Sequence, residues 1–224
     1  QLVLKYKLLR MTSKKGKTAI MKRFSYRSML KLDSCPPEHQ FDFAVNQKDI
    51  WMIRYLILSD KVNLNIADVG GAPYWFALVR WVPCPAPQLI GLIRLAVTHG
   101  ADIHARDFLH RNILEIVARY LHEGYITSVN AYEERTLRFT SSIPVLEFLL
   151  TEFKFSNEEM LEVLISQFSP PGWNMENSFN HLKLFLDHGL QLNNFDATKL
   201  FGLAVAANDI KSADFLREKY RLPV

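Results

Sequence analysis

Beyond residue 40, the chain is built of short stretches in which apolar residues recur every three or four positions. Leu146, Leu149, Leu150 and Phe153 show this spacing, which places apolar side chains on one face of an α-helix. Almost no stretch alternates between apolar and polar residues, so the sequence predicts an all-α fold. The predicted helices are residues 40–46, 49–58, 73–80, 88–98, 112–122, 143–153, 157–167, 178–187, 197–206 and 210–219.

Several of the predicted helix ends carry start or stop signals. Ser156 and Glu159 have the spacing of a capping box, in which each side chain bonds to the backbone N–H of the other. Pro144 suits the first turn of its helix, because the N–H that proline lacks would have no helical partner there. Gly100 and Gly189 each follow a histidine at a helix end, where glycine can adopt the left-handed cap conformation.

One part of the chain contains an internal repeat. Asp68 and Asp107 occupy equivalent positions, 39 residues apart. Asp107 ends the segment Gly100-Ala101-Asp102-Ile103-His104-Ala105-Arg106-Asp107. Asp68 is followed, after Val69, by Gly70-Gly71-Ala72-Pro73-Tyr74-Trp75-Phe76-Ala77-Leu78. These segments resemble the hairpin and the opening of an ankyrin repeat, whose period is about 33 residues. An insertion around residues 80–85 accounts for the surplus length.

The resemblance extends more weakly to both sides. It implies an ankyrin-like helix-pair solenoid of about five divergent repeats in residues 34–224, behind a basic N-terminal arm in residues 1–33. A second insertion lies near residues 120–141. The implied repeats are residues 40–68, 69–107, 108–155, 156–195 and 196–224.

Stacked helix pairs form a continuous core because one pair cannot bury its apolar stripe alone. Small residues recur on the first helix of the implied pairs, where neighbouring helices must approach closely: Ala44, Ala77, Ala118 and Ala204. Three residues depart from the family pattern. Trp75 and Glu115 replace the usual histidine, and His110 replaces the usual turn glycine. We therefore expect these units to be less regular than typical members of the family.

The resemblance implies a non-catalytic protein-interaction module, namely an adaptor, a scaffold or an inhibitor. Ankyrin-like proteins bind partners along the concave surface of hairpin tips and first helices. Trp, Tyr and Arg dominate binding hot spots, although tryptophans beside prolines can also fold back over the helices. The predicted partner-binding residues are Arg80, Trp81, Arg106, Phe108, His110, Arg111 and Trp173.

No catalytic motif, metal site or cofactor site is predicted. The chain contains no nucleophile elbow, no phosphate-binding glycine loop and no zinc-protease motif. Neither cysteine stands near a plausible pair of histidine ligands. The adjacent carboxylates Glu133–Glu134 and Glu158–Glu159 are interpreted as solvated surface groups, the second pair in the first turn of a helix.

Residues 1–32 contain ten basic and no acidic side chains, whereas the rest of the chain carries 17 basic and 23 acidic ones. Such an arm could bind nucleic acid, act as a nuclear-import signal, lie on an anionic membrane, direct import into an organelle, or remain a solvated tail. Two other functions therefore stay open: a nucleic-acid- or ribonucleoprotein-associated subunit anchored by the arm, and the regulatory region of a larger enzyme.

Cysteine content and hydropathy bear on the compartment. Cys35 and Cys84 are far apart, and a disulfide-stabilised secreted protein of this size would usually contain more cysteines. A reducing compartment is therefore predicted, cytoplasmic by default, with the nucleus or an organelle as alternatives because of the arm. No stretch approaches 18 uninterrupted apolar residues, so no membrane-spanning helix is predicted.

Overall fold

The computed structural model describes residues 35–68, 70–82, 84–121, 142–168 and 178–222. Within these ranges the chain is helical and contains no β-strand, apart from an isolated antiparallel bridge between Ala67 and Pro73. The all-α prediction is therefore confirmed for the described residues. None of their helices is long and apolar enough to cross a membrane.

The helices follow one another in pairs along the chain. Each predicted helix coincides with an observed one to within four residues at either end. A short 3₁₀ turn, Tyr74–Phe76, leads directly into α3. The helices are α1 Pro37–Asn46, α2 Ile50–Leu58, α3 Ala77–Trp81, α4 Ala86–Thr98, α5 Ile113–Tyr120, α6 Ser142–Glu152, α7 Asn157–Phe168, α8 Ser178–Asp187, α9 Asn194–Ala206 and α10 Ile210–Tyr220.

Side-chain caps fix several helix starts. Asp49 and Asn112 accept hydrogen bonds from backbone N–H groups in the first turns of α2 and α5. At α7, the Ser156 N–H donates to the Glu159 carboxylate at 2.8 Å, and the Glu159 N–H donates to the Ser156 hydroxyl at 3.1 Å. The predicted capping box is confirmed. Asn193 caps α9, which explains why this helix begins three residues before its predicted start.

The helices pack in two rows. The odd-numbered helices α1, α3, α5, α7 and α9 each contact the next odd-numbered helix, and among the even-numbered helices α2 contacts α4, α4 contacts α6, α6 contacts α8 and α8 contacts α10. Each odd-numbered helix also packs on the even-numbered helix that follows it. The core therefore runs along the whole array. The small residues expected at close helix approaches are all buried: Ala44, Ala77, Ala118 and Ala204.

Asp68 and Asp107 form the same turn in the loops before α3 and α5. The Oδ1 atom of each accepts N–H bonds from the residues two and four positions later, at 2.8 and 3.0 Å for Asp68 and at 2.9 and 3.0 Å for Asp107. Three residues after each aspartate, Gly71 and His110 are left-handed, with φ of 71° and 60°. The two aspartates therefore form the same turn, and His110 has the left-handed conformation that Gly71 has at the corresponding place.

Asparagine side chains tie successive loops together. The Asn65 amide donates to the Gly100 carbonyl at 2.8 Å and accepts from the Asp102 N–H at 2.8 Å. Asn157 makes a similar two-bond bridge to the backbone of Gln191, at 2.8 and 2.7 Å. Each bridge satisfies backbone groups that no helix can pair, so it fixes the spacing of the two loops it joins.

Gly71 generates the first prediction. An added Cβ would lie 2.8 Å from the Cβ of Phe108, and the backbone is already left-handed, where a side chain is strained. The Gly71 carbonyl also accepts the Phe108 N–H at 2.9 Å, so the two loops cannot easily separate. We expect Gly71→Ala to lower the free energy of unfolding by about 2 kcal/mol, measured by urea denaturation.

Gly91 in α4 provides the matched control. A Cβ added there meets no atom within 4 Å, so Gly91→Ala should raise the free energy of unfolding by about 0.5–1 kcal/mol through helix propensity alone. Equal effects of the two substitutions would contradict the close loop contact at Gly71.

Candidate functional site

The loop between α4 and α5 presents Phe108, Leu109 and His110, which are exposed one after another. We call these three residues the 108–110 tip. The preceding Asp107 points inward and is bonded by the N–H groups of Leu109 and Arg111, so the chain between them turns outward. The tip is thus held by a hydrogen-bonded turn, and more than half of the surface of Phe108 and of Leu109 faces solvent.

A buried ion cluster lies beneath the tip. Oδ2 of Asp107 accepts hydrogen bonds from Arg80 Nη2 at 2.9 Å and from Arg111 Nε at 2.8 Å. The Asp107 side chain is completely buried, and Arg80 and Arg111 expose only 9% and 13% of theirs. The cluster joins the end of α3, the tip and the start of α5 through a single carboxylate.

The Asp107 carboxylate stays ionised within this cluster. Burial by itself raises the pKa of Asp107, but hydrogen bonds and charge from Arg111, with the N–H bond from Leu109, outweigh it. The net pKa is below the ordinary value of 3.8. The pKa of Arg111 is raised in turn, because bonding to Asp107 outweighs burial. Asp107 and Arg111 are therefore both charged at neutral pH.

Two exposed aromatic residues stand at the ends of neighbouring odd-numbered helices. Trp81 ends α3 and Tyr120 ends α5, and these helices contact each other. The Arg80 guanidinium lies over the Tyr120 ring, 5.5 Å from its centroid. Sequence reasoning selected Trp81 but missed Tyr120. A usable signal was present, because Arg119-Tyr120 follows Arg80-Trp81 by the same 39 residues that separate Asp68 from Asp107.

The predicted partner-binding residues thus occupy three kinds of position. Trp81, Phe108 and His110 are exposed, whereas Arg80 and Arg111 bond inward to Asp107. Arg106 is partly exposed and supports the tip, because its Nη1 donates to the His110 carbonyl at 2.8 Å and to Glu162 of α7 at 2.7 Å. Trp173 lies outside the described residues. Leu109 was missed, since apolar identity alone does not indicate exposure.

The interpretation of Glu159 as a solvated group was wrong. Its side chain is largely buried, and Oε1 lies 3.0 Å from Nδ1 of His104 in the loop before α5. Burial raises the pKa of Glu159, but hydrogen bonds from Ser156 and His104 outweigh it, so the net pKa is below the ordinary 4.5. Glu159 joins α7 to a neighbouring loop, which its sequence position does not indicate. Glu133–Glu134 lie outside the described residues.

Two further features bear on catalysis. The Ser142 hydroxyl lies 2.8 Å from Nε2 of His181, but both side chains are buried, and Nδ1 of His181 faces the Gln167 amide at 2.8 Å. An open depression of about 580 Å³ is lined in part by Phe155 and His188.

Within the described ranges, no group of three or more His, Cys, Asp or Glu side chains is arranged to hold a metal ion. No protein-family model matches the chain, and no curated protein matches it. The candidate functional site is therefore the surface around the 108–110 tip, together with the residues that support it.

Asp107 generates the second prediction. Asp107→Ala removes the shared carboxylate and leaves two buried guanidinium groups without it, so we expect the free energy of unfolding to fall by about 3–5 kcal/mol. Glu152→Ala is the control, because Glu152 also pairs with an arginine, Arg94, at 3.0 Å, but both partners are about half exposed. This control substitution should lower the free energy of unfolding by less than about 1 kcal/mol. Urea denaturation measures both, and similar losses would show that burial of the Asp107 cluster is unimportant.

The third prediction concerns acid stability. Asp107 and Glu159 have pKa values below those of the unfolded chain, so their stabilisation is present above the unfolded values and is lost as the pH falls toward the folded ones. We expect the free energy of unfolding to decline between about pH 5 and pH 3. Asp107→Asn and Glu159→Gln should each flatten this decline, as followed by denaturation midpoints at several pH values. If both variants lose stability with falling pH as steeply as the wild type, the lowered pKa values of Asp107 and Glu159 do not cause the decline.

Proposed function

We propose that this chain is a non-catalytic protein-interaction module of the ankyrin-repeat type, which binds a protein partner through its loop tips and odd-numbered helices. Two rows of helices in consecutive pairs support the repeat assignment, as does the shared turn at Asp68 and Asp107. The observation that carries the function is the 108–110 tip, in which exposed apolar side chains stand on a hydrogen-bonded turn.

His110 adds an exposed imidazole to the tip. A non-glycine residue in the left-handed region costs about 1 kcal/mol or more, and Gly71 occupies the equivalent position without that strain. A glycine at position 110 would hold the same turn. With histidine there, the tip presents an imidazole between Leu109 and Arg111 that can donate or accept a hydrogen bond in a contact with a partner.

The ion cluster gives the tip its rigidity. Arg80 and Arg111 position the tip from below through Asp107, while Phe108, Leu109 and His110 supply contact area. A rigid surface loses little conformational entropy on binding, so more of the apolar burial contributes to affinity.

Trp81 and Tyr120 extend the contact surface along α3 and α5. Aromatic residues of this kind are enriched among binding hot spots. The surface would serve equally in an adaptor, a scaffold, an inhibitor or the regulatory region of a larger enzyme.

Affinity purification with quantitative mass spectrometry provides the fourth prediction. The bait is the full chain, compared with the double variant Phe108→Ala/Trp81→Ala and with the control Trp51→Ala. Trp51 lies on α2 and is 60% exposed, against 59% for Trp81, so the control removes an equally exposed tryptophan outside the proposed surface.

We expect at least one protein to be retained by the wild type and the control but depleted about tenfold or more by the double variant, since hot-spot residues each contribute about 2 kcal/mol. If every retained protein is recovered equally with all three baits, the 108–110 tip and Trp81 are not a binding surface. Circular dichroism is used to check that the variants are folded.

The basic arm favours a second candidate, a nucleic-acid-associated subunit. Residues 1–32 lie outside the described residues, but their ten basic and no acidic side chains match a phosphate-binding segment. The full-chain variant Lys14→Gln/Lys15→Gln/Lys17→Gln separates the two functions. Binding is assigned to the arm if this variant no longer retains the molecules that the wild type retains. The wild type should then also lose them after nuclease treatment or at moderate salt.

A further inference from the structure

Two carboxylates of α1 stand beside the loop that leads from α2 into α3. Glu38 and Asp42 are four residues apart, so their side chains share one face of the helix. Oε1 of Glu38 accepts a hydrogen bond from the Asn63 N–H at 3.3 Å, which places this face against the loop. The packing of α1 on α3 holds the helix there.

The loop adds a third carboxylate and a phenol at the same place. Asp68 and Tyr74 lie on the two sides of a tight turn, which the Asp68 N–H closes by donating to the Ala72 carbonyl at 2.7 Å. Burial raises the pKa of Asp42 and the nearby charge of Asp68 raises it further, while His39 offsets these effects only in part. The two aspartates are therefore close neighbours. We call Glu38, Asp42, Asp68 and Tyr74 the acidic patch.

Tyr74 lies among the three carboxylates. It is only 8% exposed, and the charges of Asp42, Asp68 and Glu38 add to burial in raising its pKa. Its hydroxyl has no hydrogen-bond partner among the described residues. Because a buried phenol usually finds such a partner, this hydroxyl is available to a group that occupies the acidic patch.

Within the described ranges, the carboxylates of the acidic patch have no ion-pair partner, whereas Asp107, Glu159 and Glu162 each pair with an arginine or a histidine. No described group that includes them is arranged to hold a metal ion. Lysine and arginine side chains fit the patch better, because they bring positive charge together with N–H donors for carboxylate and phenol oxygens.

A source of such side chains is tethered beside the patch. Residues 22–31 of the basic arm contain Lys22, Arg23, Arg27 and Lys31 and no acidic residue. Lys31 precedes Glu38 by seven residues, which span at most about 25 Å when fully extended. A segment on so short a tether acts as if it were present at about millimolar concentration, so weak ion pairs suffice to hold it.

We propose that residues 22–31 of the basic arm bind the acidic patch of the same chain, with their basic side chains on the three carboxylates and the Tyr74 hydroxyl. The contact lies beside the 108–110 tip, because Gly71, in the turn between Asp68 and Tyr74, accepts the Phe108 N–H at 2.9 Å. The bound arm has part of its charge neutralised. A polyanion that binds the arm, or a basic partner that reaches the patch, must therefore displace this contact first.

Limited trypsin digestion of the full chain tests the contact, since trypsin cleaves after lysine and arginine and cannot act where these side chains are held in the patch. The wild type is compared with Glu38→Gln/Asp42→Asn/Asp68→Asn. The amides at positions 38 and 68 keep the oxygens that accept backbone N–H bonds, so the fold should survive, as circular dichroism can check.

We expect cleavage within residues 22–31 to be about threefold or more faster in the triple variant than in the wild type at about 50 mM salt. At about 500 mM salt the two rates should converge, because screening releases the arm from the wild-type patch. Equal rates at low salt would overturn the proposal, as would a difference that high salt leaves unchanged.

Glu147→Gln/Asp187→Asn/Glu218→Gln is the matched control. It removes the same charge from three exposed carboxylates on α6, α8 and α10, so residues 22–31 should be cleaved at the wild-type rate. Equal acceleration in this control would also overturn the proposal, because net charge alone would then explain the effect. The digestion is run without a partner, so its outcome does not depend on the proposed function.

Discussion

The charge of Asp107 is the interaction on which the candidate site depends. A carboxylate without solvent exposure is costly unless it is paired, and two guanidinium groups from different parts of the chain pair it. Arg80 reaches it from α3 and Arg111 from the start of α5, while the other carboxylate oxygen holds the turn. One side chain thereby fixes the relative position of two helices and a loop. Because the Asp107 side chain points inward, the residues of the tip that follow it point outward.

The secondary structure could be predicted from the sequence because its determinants are local. Apolar spacing, the Ser156–Glu159 box and the glycines after helix ends all act within a few residues, so helix positions agreed to within four residues. The directions of charged side chains could not be predicted in this way. Arg80 is buried because of an aspartate 27 residues away, and Glu159 because of a histidine 55 residues away. Such distant partners leave no periodic signal.

The repeat spacing held more information about the site than residue type did. Arginine and tryptophan identities suggested a contact surface, yet the side chains of Arg80 and Arg111 are largely buried and pair with Asp107. Alignment at the 39-residue spacing relates Trp81 to Tyr120, which are both exposed, and Gly71 to His110, which are both left-handed. Comparing equivalent positions separates supporting residues from exposed ones. Where two positions share a backbone geometry but carry different side chains, the side chain is not needed for the turn itself.

Packing in two rows has a consequence for how the protein can evolve. Each helix pair meets chiefly the pairs beside it, so a change at one junction need not be accommodated throughout the core. Whole pairs can be gained or lost at the end of the array without refitting the Asp107 loop, and the loop can change without altering the end. The length of the array and the surface around the 108–110 tip are therefore separately adjustable traits.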